Sequence, residues 1–231
     1  MHIFLDIESI PSQSEAVRAE IEAGISAPAS YKKPETIAAW ERDEKPAAIE
    51  EAWRKTALSG DRGEIVCIAW AFDDGPISSR SRALNGSERF VIRDFFYELR
   101  EAVYSEQGRP QSVTFVGHNV KDFDLRFLFQ RSVIHGIRPP VHLPHDARYN
   151  GDRVFDTMTA WAGWGQRISL ARLCTALGLP MKGDEIGEEI DGSMVWDFVK
   201  AGRIDEVAAY CRADVERVRA VYKRLTFQEA A

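Results

Sequence analysis

Apolar and polar positions alternate with a period of two at the start of the chain. Ile3, Leu5 and Ile7 fall on one face of a strand over 2–8, with Phe4, Asp6 and Glu8 on the other, and Pro11 ends it. Ser12-Gln-Ser-Glu15 has capping-box spacing before a helix near 13–23, closed by Gly24. Pro34 opens a second helix through Trp40, and Pro46 a third through Leu58, stopped by Gly60. Trp40 and Trp53 are read as core residues that pin these helices down. The apolar run 64–72 predicts a buried strand, the Asp73-Asp-Gly75 turn follows, and 76–83 is its partner strand. A helix over 87–106 places Phe90, Val91, Phe95 and Leu99 near one face. A short strand at 112–116, a helix over 122–135 and a Pro-containing loop over 136–153 come next. An extended piece at 154–157 precedes helices near 168–178, 193–201 and 204–226. Strands interleaved with helices predict an α/β fold with a mixed sheet. The stretch 11–62 is too long for a hairpin loop and too short for its own core, so it reads as a helical insertion within one domain spanning 1–231.

Composition narrows the class. With 45% hydrophobic and 29% charged residues over 231 positions, the chain has the makeup of a core-forming protein, not of a disordered or collagen-like one. No apolar window is long enough to span a membrane, and the N-terminus reads as a strand instead of a signal peptide. Three scattered cysteines, Cys67, Cys174 and Cys211, suit free thiols in a reducing, cytoplasmic setting. The net charge of −6 argues against a sequence-blind nucleic-acid coat. The charge is uneven, however: residues 117–182 sum to +4 and hold four of the five histidines, whereas 183–206 sum to −6. The middle of the chain can therefore face an anion.

Three acidic clusters are candidates for chemistry, and taken singly each has a plain alternative: a solvated strand edge, helix-start acids and a Tyr–Asp surface pair. Asp6 and Glu8 share a strand face, where two anions repel unless a cation or solvent intervenes. Asp122 and Asp124 lie in the first turn of a helix, after Gly117-His-Asn-Val-Lys121. Tyr210 and Asp214 stand four apart in the last helix and share a face, beside an apolar stripe of Val207, Cys211, Val215 and Val218. A His142/His145/Asp146 zinc site lacks a matching cysteine pair. The acidic glycine-containing stretch 183–192 is a poor phosphate cradle.

Taken in order, Asp6-x-Glu8, His118-Asn-x3-Phe123-Asp124 and Tyr210-x3-Asp214 resemble the DEDDy branch of the DnaQ-like 3′–5′ exonucleases. The nearest likeness is to the proofreading domains of family B DNA polymerases and stand-alone exonucleases related to them. It runs from residue 2 to about 225 and includes 63–70, Ser169-Leu-x2-Leu173 and Leu177-Gly-Leu179. The long insertion departs from the minimal proofreading core. The resemblance implies a ribonuclease-H-like mixed β-sheet flanked by helices, and a metal-dependent hydrolysis of nucleotides from the 3′ end of DNA, single-stranded for preference. It further implies two divalent ions, Mg²⁺ or Mn²⁺, held by Asp6, Glu8, Asp124 and Asp214. Asp6 would bridge both ions, and Tyr210 would orient the attacking water. Ser9, Ile10, Asn119, Lys121, Phe123, Arg126 and Lys182 are the candidate substrate contacts. A ribonuclease D-like exoribonuclease shares the Tyr variant and is the rival enzyme. A catalytically silent nucleic-acid-binding or interaction module is the rival from another class. A polymerase partner would be a separate chain.

Overall fold

The computed structural model describes residues 1–104, 110–179 and 191–228. At its centre β1 (His2–Ile10) pairs antiparallel with β2 (Glu64–Phe72), which pairs antiparallel with β3 (Ser78–Ser81). On its other side β1 pairs in parallel with β4 (Thr114–Gly117), and β4 in parallel with β5 (Val154–Asp156). The sheet order is β3-β2-β1-β4-β5. Strands that are central and covered on both faces read as near-continuous apolar runs. This is why β2 is buried from Ile65 to Ala71.

The two sheet faces bury different clusters. Ile3, Leu5 and Ile7 pack with α4 (Glu88–Val103) and α5 (Asp124–Ile134), around Trp70, Phe95, Phe115 and Leu128. Phe4 and Ile10 pack on the opposite face with α8 (Val195–Lys200) and α9 (Ile204–Leu225). There β2 presents Cys67, Ala69 and Ala71, and α9 presents Val207, Cys211, Val215 and Val218. Small residues on β2 let the helix approach the sheet closely.

Between β1 and β2 run α1 (Glu15–Gly24), α2 (Pro34–Asp43) and α3 (Lys45–Lys55), with a 3₁₀ turn at 56–58. Trp40 and Trp53 are their buried anchors. The Trp53 indole N–H donates to the Ser12 carbonyl at 2.8 Å, and its ring meets Trp196 edge-on at 5.1 Å. Arg54 adds a bidentate pair with Asp197 on α8. The excursion is thus tied to the far end of β1 and to α8.

The elements follow the sequence pattern closely, with one omission. Residues 157–162 form α6 (Thr157–Ala162) where only an extended piece was expected. Asp156 caps it, accepting from the main-chain N–H of Met158 and Thr159. An Asp at this position is a cap signal, but Gly163 follows so soon that the helix shows no periodicity. The loop 136–153, α7 (Leu170–Leu177), α8 and α9 fall where predicted. Among the described residues no helix is long and apolar enough to cross a membrane, and all three cysteines are free and buried.

Candidate active site

Asp6 and Glu8 leave β1 on the face that α9 covers. Their partners across the ladder are Ala69 and Cys67, so no bulky cross-strand neighbour crowds them. The ladder slips between Glu8 and Ser9. The extra residue, Val66, stands on β2, and Ile10 of β1 stays on the face of Phe4.

Asp124 arrives through the β4–α5 connection. Gly117 ends β4 where a Cβ would lie 2.6 Å from the Val120 side chain and 3.0 Å from the Leu5 carbonyl, so a larger residue would push the turn off the sheet. Asn119 then takes a left-handed conformation, φ 64°, which Asn tolerates better than most residues. Asp156 clamps the turn, accepting from the N–H groups of Asn119 at 3.1 Å and Lys121 at 3.4 Å. Asp124 is delivered buried, and its Oδ1 accepts the main-chain N–H of Ile7 at 3.0 Å. The strand residue between Asp6 and Glu8 thereby fixes Asp124 beside the acidic pair.

Tyr210 and Asp214, one turn apart on α9, are both buried, and the Tyr210 hydroxyl hydrogen-bonds the Asp214 carboxylate. Arg217, three residues on, donates to Asp214 Oδ1 at 2.9 Å. Cys211 lies between them, its thiol donating to the Asp6 main-chain oxygen at 3.4 Å.

The electrostatics show how close the acids are. Burial pushes the Asp6 carboxyl well above the usual carboxylate range, and the negative fields of Asp214 and then Asp124 push it further. Asp124 is raised to about 8, first by burial and then by Asp156 and Asp214, against the main-chain N–H groups that lower it. Burial also lifts the Tyr210 phenol far above its ordinary value, with Glu8, Asp214 and Asp6 adding to it. Asp6 keeps partial exposure as a residue, yet its Oδ2 is sealed without a hydrogen-bond partner. A buried carboxylate oxygen in this position, beside other acids, is compatible with a bound cation.

The donor set fits a hard divalent cation. Ligand atoms of Asp6, Glu8 and Cys211 lie within 4.8 Å of one another. The carboxylate oxygens suit Mg²⁺ or Mn²⁺. Cys211 does not, because burial, with Cys67 beside it, raises its thiol well above the ordinary value and keeps it protonated. Fields of like charge at this burial are expensive unless a cation offsets them.

The candidate substrate contacts divide. Asn119 sits at the turn beside Asp156, and its Oδ1 is buried without a partner. Phe123 is half-buried, its ring tilted 5.6 Å from Phe127. Arg126 is exposed, 3.8 Å from Asp122. Ser9 donates its hydroxyl to the Ala57 carbonyl at 2.7 Å, and Ile10 is fully buried, so neither side chain opens to a ligand. Lys121 is 4% exposed, with its ammonium 3.5 Å from the Arg148 carbonyl. Lys182 lies outside the described residues. One partner of the acids, Arg217, was not read from the sequence, although it stands at i+3 from Asp214, a spacing that signals such a pair. Asp156 reads from the sequence either as a strand-end residue or as a support behind the acids, and only the fold sets it against the β4–α5 turn.

The chain's fold is shared with the family B DNA polymerase of the hyperthermophilic archaeon Pyrobaculum calidifontis, with a TM-score of 0.58 at 16% identity. The match covers 97% of this chain and 24% of the polymerase, so the chain spans about a quarter of that protein and the likeness concerns the fold, a ribonuclease-H-like sheet with flanking helices. No curated protein matches the chain. Residues 65–231, most of the chain, match the model of one family, and the chain therefore belongs to the predicted 3′–5′ exonucleases related to the exonuclease domain of PolB.

Proposed function

We propose that the protein is a metal-dependent 3′–5′ exonuclease acting on DNA ends, single-stranded for preference, with Asp6, Glu8, Asp124 and Asp214 holding two divalent cations. The observation that carries this reading is the sealed, unpartnered Oδ2 of Asp6 among three further carboxylates. Two such ions, when bound, supply Lewis acidity to the phosphate and lower the pKa of a bound water. The rest falls to the chain. The Ile7 N–H and the Asp156 clamp hold Asp124 in place. Arg217 and Tyr210 hold Asp214 from two sides.

Burial holds the Tyr210 phenol above its already high ordinary value, so it is protonated near neutral pH and is no general base. Its hydroxyl donates to Asp214, which leaves an oxygen lone pair to accept from the attacking water and aim it at the phosphorus. Main-chain and apolar groups around the acids exclude bulk water, which strengthens every electrostatic interaction there.

The deciding experiment uses matched 5′-labelled DNA and RNA strands with Mg²⁺, Mn²⁺ or EDTA. A ladder shortening from the 3′ end, abolished by EDTA and by Asp124→Ala, is expected, with DNA cut faster than RNA. Faster cutting of RNA would replace the DNA reading by an exoribonuclease. Intact strands in every lane would overturn the enzymatic reading.

A further inference from the structure

One face of α4 carries a stripe that neither the core nor the acidic site uses. Arg93, Tyr97, Arg100 and Tyr104 follow at spacings of four, three and four, so they line one side of the helix and its C-cap. All four are exposed, Tyr97 to 63%. The stripe forms one bank of a groove of about 1100 Å³, and the chain from Ile137 to His145 forms much of the other. The Tyr104 hydroxyl donates to the Pro140 carbonyl at 3.2 Å and ties the banks together. Phe129 and His145 also line the groove, their rings stacked at 4.0 Å.

The charge of the groove is lopsided. Arg93, Arg100 and Arg138 line it against one carboxylate, Glu101. None of the three arginines forms an ion pair among the described residues, whereas Arg80, Arg126 and Arg131 on nearby elements all do. Exposed guanidiniums left over in a concave site suit an anion, and their planar forks match phosphate oxygens. Interleaved tyrosines suit something flat between the phosphates.

We propose that this groove binds a single-stranded stretch of nucleic acid away from the hydrolytic centre, with guanidiniums on phosphates and bases stacked on Tyr97 and the Phe129–His145 pair. It rests on the exonuclease reading for the identity of the polymer and extends it with a second binding region. α5 connects the two places. Asp124 opens that helix and Phe129 comes five residues later, about 7.5 Å along its axis.

The test is fluorescence anisotropy on the full chain in EDTA, with a 5′-labelled oligothymidylate of about twenty nucleotides at several salt concentrations. In Arg93→Gln/Arg100→Gln, binding should weaken about tenfold or more. The slope of log Kd against log salt should fall by about 1.4, at roughly 0.7 for each single-strand phosphate that is no longer neutralised. Tyr97→Ala should weaken binding about tenfold with the slope unchanged, as stacking carries no counterion release. All three side chains are exposed, and a thermal melt checks folding. Arg138→Gln on the opposite bank repeats the test if the double variant does not fold. Unchanged affinity in the folded variants would overturn the proposal. Equal loss of affinity for polyglutamate would also overturn it, in favour of an acidic peptide. Metal-dependent shortening of an oligothymidylate of about four nucleotides is read separately. If that fails while the groove variants still bind the longer strand more weakly, the groove stands and the exonuclease reading falls.

Discussion

Two buried polar clusters sit on opposite faces of the sheet, and the same burial has opposite effects in them. On the α4–α5 face, Glu88 accepts from Arg131 at 2.6 Å, from His135 at 2.7 Å and from the Ile65 N–H at 2.6 Å. Burial acts to raise the Glu88 carboxyl, but Arg131 outweighs it and brings it below the ordinary value. On the α9 face, Asp6 and Asp124 meet other carboxylates and are raised. The first cluster is complete as it stands and cross-links α4 to α5. The second is incomplete without protons or cations. Burial beside like charges leaves a carboxyl open to a proton or a cation, whereas an opposite charge already satisfies it.

The contrast can be broken most forcefully at Arg131. Arg131→Met leaves Glu88 buried without its main partner and should cost about 3–5 kcal/mol of stability. Denaturant unfolding measures it, and activity per folded molecule should be unchanged. A loss below about 1 kcal/mol would mean that His135 and the Ile65 N–H suffice.

Asp6→Ala should do the reverse. It removes repulsion, so the melting temperature in EDTA should hold or rise. Turnover should fall more than about 100-fold, since a cation's several kcal/mol of transition-state stabilisation convert at about 1.4 kcal/mol per factor of ten. Near-normal turnover by the purified variant would remove the acidic cluster from the chemistry.

Tyr210→Phe should lower turnover roughly 10- to 100-fold, the worth of a hydrogen bond to a charged group, and leave Mn²⁺ affinity within a few-fold. Loss of Mn²⁺ binding, read by calorimetry, would show that the phenol acts through the metal site by its bond to Asp214, and would overturn its role in aiming the water.

The smallest effect lies in pH. Asp124 titrates near about 8 in the folded chain and near its ordinary value of 3.8 when unfolded, so the folded state holds the extra proton between those values. Its contribution is full below the lower value and is lost as pH rises through the higher one. Metal-free protein should therefore melt progressively lower as pH rises from 3.8 to about 8. Asp6 acts in the same sense. Glu88 acts in the opposite sense: its contribution is present above the ordinary value of 4.5 and lost in more acid solution. Divalent cations need the ionised carboxylates, so the stabilisation they confer should grow as pH rises through the same window, from 3.8 to about 8. Asp124→Asn should flatten the curve in EDTA, and an unchanged slope in that variant would dissociate Asp124 from the cluster.

Much of the fold was legible because its signals are local. A period of two put Asp6 and Glu8 on one face of β1, and a spacing of four put Tyr210 and Asp214 on one face of α9. Pro34 and Pro46 opened helices within a residue of where they stand in the structure. The short α6 escaped because six residues are too few to show a period. Ser9 and Ile10 show what sequence leaves open within the candidate site. The resemblance implied contact with a substrate, and only the fold shows that the Ser9 hydroxyl donates to the Ala57 carbonyl and that the Ile10 side chain is buried.

By itself the sequence determined the order and type of the elements, the pairing of acids within one element and the family likeness, because each depends on residues a few positions apart. Only the tertiary structure decided which acids meet. Parallel pairing of β4 with β1 sets Asp124 beside Ile7, and α9 folding back over the sheet brings Asp214, paired with Arg217, near Asp6. The same packing sealed Asp6 Oδ2 and spared Glu88 its isolation. Charge coupling falls with distance and rises with burial, and both are properties of the folded chain, not of positions along it.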